Sequence, residues 1–381
     1  MALFGPGHYR EYVWLIAQSN NIDQQNGLEH HESTDIRDHE GTFNEPFRLL
    51  EHRTSPHEYV HTWNGKYRRP AGLATRNYQQ PMVDDLLWVY EGATRYLGDI
   101  VLRTRAGFAT PEQARAYIAW LAARLDVTRP GRAWRSLGDT ATALPAYVDA
   151  PAEWTPIRRP RDYYDEMGLV WLDADTLIRE KTNGARSFDD FCAAFYRGPQ
   201  RAPAVRPYTR ADVVAALHAV LPIDWDAFLK ERVEDVAPRA PLAGIERGGW
   251  LVTYDDTPNE FQAAREQVDG PANLSLSLGV WANDDGAVSD VVHGSPAFAA
   301  GIAPGMRLLA IGGRKWSTEA ARGVLVSAEK SADPVELVVQ SADLVRVLHV
   351  NYHGGLRNPH LVRIDNKPDL LSQILAPRVS R

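Results

Sequence analysis

The sequence predicts an α+β protein, mainly helical at first and built of short strands near its end. Between Phe47 and Val220, apolar residues recur at helical spacing in several segments. From Val236 to Pro271 the composition turns to proline, glycine and polar residues, which marks a domain junction. Beyond it, short β-branched runs alternate with glycine turns.

The chain has 381 residues, enough for two domains, with 44% hydrophobic and 24% charged residues, ordinary for a globular protein. A net charge of −7 without a Lys/Arg block argues against a nucleic-acid partner. The single cysteine, Cys192, excludes an internal disulfide framework and a cysteine-based metal site; its apolar helical context reads as core. No apolar run approaches the ~18 residues of a membrane span. Met1 to Gly7 lacks the basic and apolar regions of a signal peptide, so the expected compartment is cytoplasmic, or periplasmic if an upstream signal was removed.

In chain order, residues 8–19 read as a strand, 27–34 as a second, edge strand, and 35–44 as a polar loop. One helix is expected from Phe47 to about Gly65, and a strong one from Val83 to Arg103, opened by Asp84 and Asp85. Thr110 and Pro111 start the next, which runs to about Leu125. Further helices are expected over 163–182, 187–196 and 209–220. After the junction, Ser295 is a plausible N-cap with Pro296 first in the helix and Gly301 as its stop. Leu308–Ile311 and Val335–Gln340 read as strands, and 317–331 as a helix.

The chemistry centres on His57-Glu58-Tyr59-Val60-His61, an HExxH pattern. On a helix, residues four apart share one face, so His57 and His61 offer two imidazoles to one ion. Glu58, about 100° round the helix, reaches a water bound there. This is the pattern of a zinc hydrolase, which needs a third ligand. Glu91 is the best candidate: it is an acid in the middle of an apolar helix, where an unpaired carboxylate costs several kcal/mol. Alternatively it pairs with Arg95, four residues on. Asp84 and Asp85 are rivals whose helix-start position has its own dipole explanation. Asp99 faces roughly the same way as Glu91 and reads first as an exposed helix acid, with partnership to a ligating histidine as the alternative.

These residues resemble the M61 glycyl aminopeptidase family of gluzincin metallopeptidases. The resemblance is carried by His57 to Asn64, Lys66 with Arg69-Pro70, Leu87-Trp88 with Glu91-Gly92, Asp162-Tyr163-Tyr164, and Trp171 to Glu180. It implies a thermolysin-like catalytic domain followed by a PDZ domain, one Zn²⁺ per chain on His57, His61 and Glu91, and Glu58 as general base. Asn26-Gly27-Leu28-Glu29-His30 is similar to the substrate edge that reads GxMEN in related aminopeptidases. Glu29, with Gly27 beside it, would hold the free α-amino group of a peptide; on its own Glu29 would read as an ordinary polar residue. His30, His31 and His39 read as loop polar groups rather than a second metal site. Tyr164 matches the tyrosine that donates to the oxyanion, with Tyr163 as rival; the glycine usually found three residues later is Met167 here, with Gly168 next. The implied preference is for small first residues, Gly or Ala. Family members usually carry a β-rich domain ahead of the catalytic one; with about 56 residues before His57, this chain reads as a fragment or a short variant.

Residues 273–345 resemble a PDZ domain of the bacterial protease-associated form. Leu278, Gly279 and Val280 match the loop whose backbone N–H groups capture a peptide's C-terminal carboxylate. A closed groove and a purely structural cap is the alternative. The expected organisation is thus 1–236 catalytic, 237–272 junction, 273–345 PDZ and 346–381 a tail folding back on the catalytic domain. Two other functions fit the same residues: a zinc endopeptidase in which Glu29 is no anchor, and an inert interaction protein.

Overall fold

Two apolar clusters organise the computed structural model, which describes residues 3–21, 26–147, 153–199, 201–270 and 273–378. The larger draws on helices from Phe47 to Leu375; the smaller lies between Leu274 and Tyr352. Helix and strand are therefore mixed, with helices dominating the larger body. Among the described residues, no helix is long and apolar enough to cross a membrane.

A three-stranded sheet covers the front. Ser33–Asp38 is its centre, parallel to Val13–Gln18 and antiparallel to Asn26–Glu29. This central strand lies largely where a polar loop was expected. Its inward residues include Thr34 and Asp38 as well as Ile36. Thr34 donates to the Leu28 carbonyl, and Asp38 accepts from Thr42. Buried polar residues on the inward face give no apolar alternation to read.

The single helix expected over 47–65 is two, Phe47–Glu51 and Thr54–Val60, with His61 as the C-cap of the second. The next helix begins at Leu87 rather than Val83, is α-helical to Thr94, and becomes π-helical over Arg95–Leu102. Two glycines on it decide the packing. A Cβ on Gly98 would lie 2.7 Å from Cα of His57, and one on Gly92 would lie 2.3 Å from Cβ of Met167. The helix can therefore touch both the HExxH helix and the long Asp162–Lys181 helix at close range.

The proline- and glycine-rich stretch 237–272 carries helix Ala243–Arg247, strand Trp250–Asp255 and helix Glu260–Asp269. Ile245, Trp250 and Phe261 sit in the larger core, so the expected junction is part of the body. In the tail, Asn358–Arg363 pairs antiparallel with Trp250–Asp255, and helix Leu370–Leu375 buries Leu371 and Ile374 in the same core.

The small β-rich module has one three-stranded and one four-stranded sheet. Ser295 caps helix Pro296–Ala299 as expected, its hydroxyl accepting from the Phe298 N–H. Strand Leu344–Val350 runs across the boundary expected at 345. Several contacts latch the module to the body. The Asp290 carboxylate accepts the backbone N–H groups of Trp154 and Thr155 at 2.9 and 3.1 Å, and Arg322 pairs with Glu266.

Candidate active site

Four-residue spacing sets His57 and His61 edge to face, with ring centroids 4.9 Å apart. From the neighbouring helix, Glu91 brings Oε2 to 3.4 Å from His57 Nε2 and 3.3 Å from His61 Nε2. One ligand atom from each of the three lies within 4.8 Å of the others. The remaining ring nitrogens are engaged elsewhere: His57 Nδ1 lies 3.1 Å from Asp99 Oδ1, and His61 Nδ1 2.9 Å from the Asn64 carbonyl. Those contacts orient both Nε2 atoms toward Glu91. Asn64 also donates to the Val89 and Tyr90 carbonyls at 2.9 and 3.0 Å, tying the turn after the HExxH helix to the helix that carries Glu91.

The electrostatics match a cation site. Burial alone would lower the His57 ring, but hydrogen bonds to Asp99 and Glu91 push it up to about 10. Burial works to raise the Glu91 carboxyl, yet His61 and His57 outweigh it and hold it well below the carboxylate range. Two imidazoles and one carboxylate, converging in a buried cleft with outer partners in place, are a set that could hold a metal ion. Arg95 does not neutralise Glu91: it forms ion pairs with Asp99 at 2.5 Å and with Asp165 at 3.1 Å.

Asp99 departs from its first reading as an exposed acid. Its side chain is 0% exposed and is held by Arg53 at 2.9 Å as well as by Arg95. The cause is the π segment. In a regular α-helix the eight residues from Glu91 to Asp99 would leave the two about 80° apart. The wider π turn, marked by the Arg103 N–H bonding to the Gly98 carbonyl, takes up most of that offset. Both acids consequently reach the same imidazole. Replacing Asp99 with alanine should weaken zinc binding roughly 10–100-fold in a competitive chelator titration; unchanged affinity would show that His57 needs no such support.

Glu58 sits beside this group. Its Oε2 is buried with no hydrogen-bond partner among the described residues, and burial pushes its carboxyl up. Strand Asn26–Glu29 passes directly against it: a Cβ on Gly27 would lie 2.1 Å from Glu58 Oε1. Farther along that strand, Glu29 forms a second converging group with Glu58 and His61, again within 4.8 Å. Glu29 Oε1 accepts from the Tyr90 hydroxyl and lies 3.2 Å from Lys66 Nζ.

Tyr164 lines the same cleft, its ring stacked 6.3 Å from that of His57. Burial, with Glu91 adding to it, pushes the phenol well above its ordinary range, so it stays a donor. Tyr163 is 1% exposed and belongs to the core. The cleft measures about 320 Å³ and is lined mainly by polar groups, including Asn26, Arg53 and Arg265. Arg265 comes from helix Glu260–Asp269, inside the stretch expected as a junction, and nothing in its local sequence marks it.

The loop Leu278-Gly279-Val280 lies in the smaller core. Leu278 and Val280 are fully buried, and the Gly279 N–H is spent on the Leu274 carbonyl at 3.0 Å. One donor of the expected carboxylate cradle is thereby engaged within the module.

Residues 51–170 match the family model of the M61 glycyl aminopeptidases. That segment is similar to the M61 family. It holds the HExxH helix, Glu91, Asp99 and Tyr164. A solved structure, an aminopeptidase N family protein from Idiomarina loihiensis, matches with a TM-score of 0.74 at 19% identity, over 99% of this chain. At that identity the likeness is one of fold. The chain spans 64% of that protein's chain. Comparison with curated proteins gave no match. The M61 segment and its fold neighbour share the aminopeptidase name, and the cleft lies within that segment except for the front strand and Arg265.

Proposed function

We propose that this chain is a zinc-dependent aminopeptidase acting on peptides with a free amino terminus and a small first residue, Gly or Ala. The observation that supports it most is the convergence of His57, His61 and Glu91 beside Glu58, whose Oε2 has no hydrogen-bond partner among the described residues. With it goes a thermolysin-like reading of the larger body and a PDZ-like reading of the smaller module.

Zinc on His57, His61 and Glu91 would lower the pKa of a bound water toward ~7 and polarise the scissile carbonyl. Glu58 takes the proton of the attacking water and delivers it to the leaving amine; its raised affinity for a proton suits that exchange. The Tyr164 hydroxyl donates to the oxygen on which negative charge develops. Glu29 holds the substrate's ammonium and so sets which bond lies over the centre.

A second reading, a zinc endopeptidase, is favoured by Lys66, which already balances Glu29 at 3.2 Å. One experiment separates the readings. Metal analysis should find about one zinc per chain, and a chelator should abolish hydrolysis of alanyl p-nitroanilide until zinc is returned. Turnover that survives metal removal would sink both readings. Cleavage of an N-acetylated peptide as fast as the free one would select the endopeptidase.

A further inference from the structure

A cleft of about 490 Å³ opens between the larger body and the small β-rich module. Trp120 and Pro156 stand on the body side, Trp281 and Ser289 on the module side. Arg265 lines both this cleft and the catalytic one, so the two are neighbours. The walls are held together by Asp290, whose carboxylate lines the cleft while bonding the Trp154 and Thr155 N–H groups. The helix carrying Arg265 also brings Phe261 under Arg53, 5.8 Å from the ring, at the start of the HExxH helix. Glu29 lies at the other end of that helix, beside His61.

The geometry points to this inter-module cleft as the binding site for the downstream part of a peptide substrate. The inference rests on the peptidase reading above. The catalytic cleft, about 320 Å³, has room for only a few residues around the scissile bond. A peptide whose amino end is held at Glu29 must leave along the HExxH helix toward Arg53 and Arg265. There it meets a second cleft with an indole on each wall, suited to the apolar faces of an extended backbone. The small module is then a wall of the substrate site, and binding energy from residues remote from the cut serves the reaction.

The test compares dialanine with pentaalanine on the zinc-loaded full chain. The parent enzyme should prefer pentaalanine by about tenfold in kcat/KM. Ser289→Trp places a bulky ring in the cleft at an exposed position, so the fold should survive. It should bring the ratio near one and leave dialanine unaffected; Trp281→Ala should reduce the ratio partly. Pentaalanine binding to Glu58→Gln and to Glu58→Gln/Ser289→Trp is measured in parallel by calorimetry. Weaker binding by the double variant supports the site, whereas equal binding, or a length preference untouched by either cleft variant, overturns it. A chain that cleaves neither peptide refutes the peptidase reading, while the binding comparison still decides the cleft.

Discussion

Glu58→Gln is expected to keep the fold and the zinc while lowering kcat on alanyl p-nitroanilide roughly 10²–10⁴-fold, the range for loss of a positioned general base. The amide has the size of the carboxylate but cannot accept the proton of the attacking water. The structure makes this substitution clean. Glu58 Oε2 has no hydrogen-bond partner among the described residues, so the change at that atom breaks no bond described there. Kinetics and metal analysis on the same preparation decide the matter. If zinc is retained and turnover stays within a few-fold of the parent, proton transfer belongs to another group.

Gly27→Ala should be nearly as damaging, for a steric reason. Its Cβ would sit 2.1 Å from Glu58 Oε1 and 2.4 Å from Cδ. Either the Glu58 carboxylate turns away or the strand Asn26–Glu29 lifts off the cleft. A displacement of about 1 Å at a reacting group can cost 10²-fold, and a loss of roughly that size in kcat/KM is expected. The strand is an edge strand, so the melting temperature should barely change. Activity equal to the parent would show that the strand does not press on Glu58 in solution.

The chemistry of the cleft was more legible in the sequence than its support. Histidines four apart on a helix must share a face, whatever surrounds them. Glu91 stood out because an acid amid Leu86, Leu87, Trp88, Val89 and Tyr90 needs a partner. Asp99 was read as exposed because nothing in its own stretch shows that Arg53 and Arg95 enclose it, and no local residue announces the π segment. The central strand Ser33–Asp38 was hidden by inward Thr34 and Asp38, whose hydrogen bonds replace apolar contacts. Composition misled at 237–272: proline and glycine there shape turns between elements that bury Ile245, Trp250 and Phe261. The Leu278–Val280 motif named a loop but not the fate of its donors, since the bond from Gly279 to Leu274 depends on backbone geometry. Arg265 reaches the cleft only through tertiary folding.

The π segment also bears on how the chain tolerates change. The winding between Glu91 and Asp99 matters as much as residue identity. Removing one residue after Asp99, from Ile100–Leu102, would let the helix relax to ordinary winding, with better backbone geometry and every functional side chain still in the chain. Asp99 would nonetheless swing away from His57, and Arg53 and Arg95 would lose their shared carboxylate. In an alignment such a gap looks trivial beside a substitution in HExxH. For this fold it is a change of phase, and a variant carrying it would keep its signature yet lose the Asp99 support of His57.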